Sequence, residues 1–163
     1  MPSKTLWICA GVGLVLLALL FAGGLSVNRG QQVTLVGEVK KVRTGTLDDQ
    51  RSVVVLDFRV TNPSGYPFQV RDLNLEVTTG GKAVAGRFIP EVDAKNVFLG
   101  VPELGEKYNP SFASEERVAK KSTVDRMTAF VVDLPLRELD DRTKMVMRIR
   151  DADGAVSELA EKR

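Results

Sequence analysis

The sequence predicts an all-β fold, an antiparallel β-sandwich preceded by one N-terminal transmembrane helix. Three observations lead to this prediction. Residues 5–27 contain no charged side chain and are mostly apolar. Farther along the chain, several segments alternate apolar and polar residues with a period of two, which is the pattern of strands that bury one face. Turn-forming residues separate these segments, and no long amphipathic helix lies between them.

Residues 5–27 are long enough to cross a bilayer, because ~20 apolar residues at ~1.5 Å each span its ~30 Å hydrocarbon core. A cleavable signal peptide usually has a shorter apolar run, so we expect an uncleaved anchor held in the lipid bilayer. Cleavage after Ala22-Gly23-Gly24 is the alternative, and it would release the rest of the chain. Lipidation at Cys9 is not favoured, because the apolar run before it is too short for export.

The charge before the apolar run predicts the orientation. Lys4 is positive, and positive residues flanking a span are retained on the cytoplasmic side. Residues 1–4 are therefore expected to form a cytoplasmic tail and residues 28–31 a short polar stem. Residues 32–163 are expected to form one domain on the periplasmic or extracellular side.

The strand predictions follow from residues at every second position. A strand beginning at Phe68 changes phase, and a β-bulge at Arg71-Asp72 would restore its inward face. Polar neighbours such as Asp57, Arg59 and Thr61 are predicted to face solvent. The predicted inward residues are Val33, Leu35, Gly37 and Val39; Val54, Leu56, Phe58 and Val60; Phe130, Val132 and Leu134; and Met145, Met147 and Ile149.

The connections predict the remaining elements. Residues 114–121 fit either a short helix or a strand at Arg117–Ala119 followed by a turn, and we favour the strand. Leu136–Arg142, after Pro135, is predicted to form a helical turn. This rhythm of short strands and tight turns is typical of an immunoglobulin-like sandwich. The predicted turns are Asn62-Pro63-Ser64-Gly65, Thr79-Gly80-Gly81-Lys82 and Asp153-Gly154.

One stretch resembles a known family. A strand ending in Asn62-Pro63 is followed by Tyr66-Pro67-Phe68-Gln69-Val70, then Leu73-Asn74-Leu75-Glu76-Val77, then Gly80-Gly81-Lys82. This order resembles the late-embryogenesis-abundant type 2 (water-stress and hypersensitive-response) domain, and bacterial envelope domains of immunoglobulin-like build are similar. Phe130-Val131-Val132-Asp133-Leu134-Pro135 resembles their later core strand. The resemblance implies a sandwich used for binding or stabilisation, and it supplies no catalytic residue.

The composition excludes several kinds of site. The chain has no histidine, and its single cysteine, Cys9, lies in the apolar segment. The exported domain therefore has no disulfide, thiol nucleophile or His/Cys metal site. Its charges are interleaved and nearly balanced, which is unlike a nucleic-acid-binding surface. Asp151-Ala152-Asp153-Gly154 has only part of the ligand set of a calcium loop and is predicted to be a plain hairpin turn. We expect no metal, no cofactor and no enzymatic activity.

Residues 90–114 break the strand rhythm, and we call this segment the insertion. It is predicted to be an irregular loop, stiffened by prolines and carrying aromatic residues. One interpretation is a cap folded over an open end of the sandwich, with its aromatic side chains in the core. The other is a partner-binding surface built from Phe98, Leu99, Tyr108 and Phe112.

Together these features predict a membrane-anchored, non-catalytic module of the cell envelope with an interaction or structural role and a protein partner. An apolar small-ligand or lipid carrier that uses the sandwich interior is the alternative. A hydrolase is less favoured, because the commonest general base, histidine, is missing.

Overall fold

The structure is a computed structural model that describes residues 33–162. The predicted tail, anchor and stem, residues 1–31, lie outside the described residues. Two α-helices, α1 (Glu91–Gly100) and α2 (Leu136–Asp140), and one 3-10 helix (Pro102–Leu104) interrupt the strands. The strands are β1 (Val36–Thr46), β2 (Ser52–Thr61), β3 (Phe68–Thr79), β4 (Lys82–Ile89), β5 (Arg117–Val118), β6 (Thr123–Val132), β7 (Lys144–Asp151) and β8 (Val156–Ala160).

The strands pair antiparallel in the order β1-β2-β6-β4-β3-β7-β8, with β5 added to β3. β4 connects the two halves of the β-sandwich, because it pairs with β3 up to Gly86 and with β6 from Gly86 onward. A Cβ at Gly86 would lie 3.1 Å from the Cβ of Leu75 and 3.2 Å from the Cβ of Phe130. Because residue 86 has no side chain, β4 can lie close to the side chains of Leu75 and Phe130 where it passes between the two halves. The predicted all-β antiparallel architecture is confirmed.

The main core lies between the two halves of the sandwich and contains most residues that the alternation predicted to face inward. Phe58 packs edge-on against Phe112, with ring centroids 5.4 Å apart. Before β1, Val33 and Leu35 are also buried, and the Leu35 amide donates a hydrogen bond of 2.8 Å to the Ser157 hydroxyl. This contact ties the beginning of the described chain to β8.

The predicted connections are also present. The β3–β7 register shifts between Val70 and Asp72, where the bulge was expected. Gly80, Gly81 and Gly154 have positive φ angles in the two hairpin turns, as tight turns of this kind require. The favoured strand at residues 117–119 is present as the shorter β5, and the predicted helical turn at residues 136–142 is present as the shorter α2.

One prediction about the sheet faces is wrong. Asp57 faces away from the main core, as expected, but only 4% of it is exposed. Its neighbours Val53 and Val55, which point the same way, are completely buried. The outer face of β2 is therefore covered, because the insertion lies on it. Among the described residues, no helix combines the length and apolarity needed to cross a membrane.

Replacing a core residue of β2 and its exposed neighbour, one at a time, should show which face of the strand is buried in the main core. Phe58→Ala should lower the free energy of unfolding by about 3–5 kcal/mol, because it leaves a cavity against Phe112. Arg59→Ala should change stability little, since Arg59 makes only an exposed ion pair with Asp125. Urea titrations of the two variants provide the test, and equal midpoints would contradict this assignment of faces.

Candidate functional site

The insertion is more regular than the sequence suggested. The prediction of an irregular loop is wrong for residues 91–104, which form α1 and the 3-10 helix. Glu91 and Asp93 place negative charge in the first turn of α1, where the helix dipole favours it. The 3-10 helix begins at Pro102 and is followed by Gly105 with a φ of +69°. Short helices with defined ends thus replace the expected loop.

The inner side of the insertion forms a second hydrophobic core. Ala94, Val101 and Leu104 are buried against the outer faces of β2 and β6. The contact is close, since a Cβ on Gly45 of β1 would lie 2.4 Å from Cγ1 of Val101. A side chain at residue 45 would push the insertion away from the sheet. The residues that the insertion covers on the sheet are Val53, Val55, Met127, Ala129 and, in part, Val131.

A buried ion pair fastens the insertion to the sheet. Arg43 of β1 donates from Nε to Oδ2 of Asp57 over 3.0 Å, and its Nη2 lies 2.9 Å from the same oxygen. The Nη1 of Arg43 donates to the carbonyl oxygens of Leu104 and Glu106, each over 2.7 Å. The other carboxylate oxygen of Asp57 accepts a hydrogen bond of 2.9 Å from the Asn109 side chain. Both members of the pair therefore contact the insertion as well as each other.

Two of the predicted site residues surround this arginine. The Cζ of Arg43 lies 5.3 Å from the ring centroid of Phe98 and 5.2 Å from that of Tyr108. The Lys41 ammonium lies 5.5 Å from the Tyr108 ring centroid. Cations at these distances are attracted by the negative faces of aromatic rings. The two aromatic rings thus shield the ion pair from water. Arg43 and Lys41 in turn hold the Tyr108 ring in place.

The structure separates the four predicted binding residues into two roles. Phe112 is 0% exposed and packs in the main core, so its assignment to a partner-binding surface is wrong. It is buried because residues 110–112 pair with β6: the Phe112 amide donates to the Met127 carbonyl, and the Met127 amide to the Pro110 carbonyl. Phe98 is half-buried against Arg43. Leu99 and Tyr108 are 82% and 63% exposed.

Sequence reasoning missed several residues of this site. Arg43, Asp57 and Asn109 carry the polar contacts, and their pairing depends on a β1–β2 register that no local pattern reveals. Val92 of α1, which is 77% exposed, was also missed. A usable signal did exist in β2, where Val53 and Val55 make the outward positions apolar. A strand with two apolar faces needs a cover on both.

Outside the insertion, polar residues make contacts both at the surface and in buried positions, such as Arg59 at the surface and the buried Asp151. Arg59 donates two hydrogen bonds to Asp125 and thereby lowers the pKa of that carboxyl below its ordinary value. Asp151 accepts hydrogen bonds from the backbone amides of Gln69 and Ala152, as a turn residue would. Within residues 33–162, no cluster of three His, Cys, Asp or Glu side chains has an arrangement that could hold a metal ion.

A shallow groove lies on the outer face of the other half of the sandwich, with a volume of about 420 Å³. Arg148 lines it and is already paired with Glu76 and Glu158. Its charge is therefore compensated within the sheet. The other residues lining the groove are Asn74, Leu75, Ala83, Ala85 and Arg150.

The chain matches no protein-family model and no curated protein. Its fold is similar to that of an uncharacterized β-sandwich protein from Clostridium difficile 630, with a TM-score of 0.43 and 11% sequence identity over 79% of this chain and 86% of that chain. It is also similar to a "putative lipoprotein" from Bacillus subtilis subsp. subtilis str. 168, with a TM-score of 0.45 and 13% identity. That match covers 79% of this chain and 36% of the other.

Two aspartates, each paired with an arginine, test how the insertion is held. Asp57→Ala should lower the free energy of unfolding by about 3–5 kcal/mol, because it leaves the Arg43 guanidinium buried without its counter-charge. The matched control is Asp125→Ala, which breaks an exposed pair and should have little effect. Urea unfolding of both variants measures the difference. Equal effects would mean that the buried pair does not hold the insertion.

Proposed function

We propose that this chain is a membrane-anchored, non-catalytic protein of the cell envelope whose exported domain binds a protein partner. The uncharged run at residues 5–27 supports the anchor, and Lys4 before it supports export of the domain. The antiparallel sandwich and the Asn62-Pro63 turn between β2 and β3 support an immunoglobulin-like domain. They also support kinship with the late-embryogenesis-abundant type 2 domain and its bacterial envelope counterparts. This resemblance implies a sandwich used for binding or stabilisation, with no catalytic residue to carry over.

The observation that carries the binding role is the exposed apolar side of the insertion. Val92 and Leu99 are seven residues apart on α1, which places them on the same side of the helix, about 10 Å from each other. Both are more than three-quarters exposed, while Ala94 of the same helix is buried. A short helix with apolar residues on both sides is expected to pack on the sheet with one side and on a binding partner with the other.

The way the insertion is held also favours binding. Tyr108 stacks on Arg43, and Lys107 pairs with Glu91 at the start of α1. Exposed tyrosines on a fixed backbone are efficient contact residues, because little conformational entropy is lost when they bind. The domain thus presents Val92, Leu99 and Tyr108 in a preorganised arrangement.

A carrier function inside the sandwich has less support. The space between the two halves is occupied by large buried side chains, with Phe112 closing the gap beside β6. An apolar ligand would have to displace these side chains, at a cost of several kcal/mol for an aromatic residue. The aromatic residues in question are Phe58, Phe68, Phe112 and Phe130. Binding at the outer surface requires no such rearrangement.

The membrane half of the proposal predicts how the full chain fractionates. After alkaline carbonate extraction of membranes, the chain should remain in the pellet, because an uncleaved span is held by its buried apolar surface. Added protease should reach the domain only from the outer side. Recovery of a soluble chain that begins near Leu25 would show a cleaved signal instead.

The binding half predicts site-specific crosslinking in intact cells. A photo-activated benzoylphenylalanine placed at Leu99 should give a discrete protein adduct, and Tyr108→Ala should reduce its yield. The matched control for this substitution is Tyr66→Ala, because Tyr66 is 60% exposed and lies outside the insertion. It should leave the adduct unchanged.

A second probe tests whether the adduct is specific to the insertion. Benzoylphenylalanine at Val156, another exposed apolar residue, should not give the same adduct. Identical adducts from Leu99 and Val156, or equal loss with both tyrosine variants, would contradict a binding role for the insertion. Thermal melting of the two tyrosine variants checks that both remain folded.

A further inference from the structure

The described chain begins at one end of the sandwich, which we call the proximal end. It consists of the loops at 62–67, 119–122 and 152–155. β1 begins here, with Val36 opposite Thr61 and Thr61 opposite Thr123. Just before β1, the Leu35 amide bonds to Ser157 at the start of β8. The three loops therefore surround the point where the polypeptide enters the domain.

The length of chain before this point limits how far the proximal end can be from a bilayer. If residues 5–27 span the membrane, as the proposed function holds, only residues 28–32 connect the span to Val33. Five residues reach at most about 18 Å when fully extended. The headgroup layer on each side of the hydrocarbon core is itself several ångströms thick. The proximal end must then lie close to the lipid headgroups.

The side chains at the proximal end are of the kinds that favour such an interface. Tyr66 projects from the first loop and is 60% exposed, between exposed Gly65 and Pro67. Lys120 and Lys121 are exposed in the second loop. Tyrosine is enriched at membrane interfaces, and lysine is attracted to anionic lipid headgroups.

The proximal loops are held in place by a buried asparagine. The Asn62 side-chain amide donates to the carbonyl oxygens of Tyr66 and Val118, over 2.8 and 3.1 Å. The Asn62 side-chain oxygen accepts from the Ser64 amide and hydroxyl. Lys121 donates to the Pro63 carbonyl and so links the first two loops. Tyr66 and the lysines are thus presented together on a fixed backbone.

The charge distribution supports the same orientation. The proximal loops carry two lysines and one acidic residue, Asp153. The distal end, formed by residues 47–51, 79–82 and 133–143, carries six acidic and four basic residues. An anionic bilayer therefore attracts the proximal end and repels the distal end.

We propose that the proximal end docks on the headgroups of an anionic bilayer, with Tyr66 at the interface and Lys120 and Lys121 next to lipid phosphates. This inference rests on the proposed anchor and adds a defined orientation of the domain. Docking directs α2 and the β1–β2 turn away from the membrane.

Fluorescence quenching in vesicles tests the docking. The full-length chain carries Cys9→Ser and one new cysteine labelled with an environment-sensitive fluorophore. Gly65→Cys places the label at the proximal end, where an added Cβ meets no atom within 4 Å. Gln50→Cys places it in the exposed β1–β2 turn at the distal end. The vesicles contain phosphatidylcholine, phosphatidylglycerol and a lipid with a nitroxide on its headgroup.

Quenching at position 65 should exceed quenching at position 50 by about twofold or more. Adding Tyr66→Ala or Lys120→Glu should reduce it, because each removes an interfacial contact. Adding Tyr108→Ala should leave it unchanged. The proposal would be overturned by equal quenching at both positions. It would also be overturned if Tyr66→Ala and Lys120→Glu left the quenching at position 65 unchanged.

Carbonate extraction of the same vesicles distinguishes a failure of the anchor from a failure of the docking. A chain that is released contradicts the anchor and with it the proposed function. A chain that is retained while position 65 stays unquenched contradicts only the docking. Thermal melting of the labelled proteins checks that neither cysteine substitution unfolds the domain.

Discussion

A buried arginine–aspartate pair determines how this domain is organised outside its main core. Removing Arg43 and Asp57 from water is costly, and their attraction offsets that cost only when their remaining hydrogen-bonding groups find partners. The insertion supplies those partners, through the carbonyl groups of Leu104 and Glu106 and the side chain of Asn109. The ion pair therefore links the insertion to β1 and β2, and the insertion supplies polar partners to both charged side chains.

Apolar packing under the insertion accompanies this polar link and covers the outer face of the sheet. β2 buries apolar residues on both of its faces, with Leu56 and Phe58 in the main core and Val53 and Val55 under the insertion. The insertion in turn gains a fixed backbone, from which Leu99 and Tyr108 reach solvent. A structural cap and a binding surface, which looked like alternatives in the sequence, are thus two sides of one element.

The sequence predicted the sheet better than it predicted the insertion. Alternation identified the inward residues of β2, β6 and β7, because side-chain direction in a strand has a fixed period of two. Glycines marked the hairpins, because only certain residues adopt their φ angles readily. Both signals are local, so they can be read without knowing the tertiary structure.

The insertion depends on contacts between distant residues. Tyr108 and Phe112 are both aromatic and lie four residues apart, yet one is exposed and the other is in the core. The difference arises from the pairing of residues 110–112 with β6, which local sequence does not encode. Asp57 seemed solvent-facing for the same reason, since its partner Arg43 lies 14 residues away on another strand.

Native-state hydrogen exchange measures most directly whether the insertion is a fixed part of the fold. Two amides report on it: Val101, which donates to Val97, and Phe112, which donates to Met127. If the buried pair holds the insertion, both should exchange at least about a hundredfold more slowly than in an unfolded chain, which corresponds to an opening free energy of about 3 kcal/mol or more. Exchange at unfolded-chain rates in the insertion, while β2 stays protected, would contradict this account.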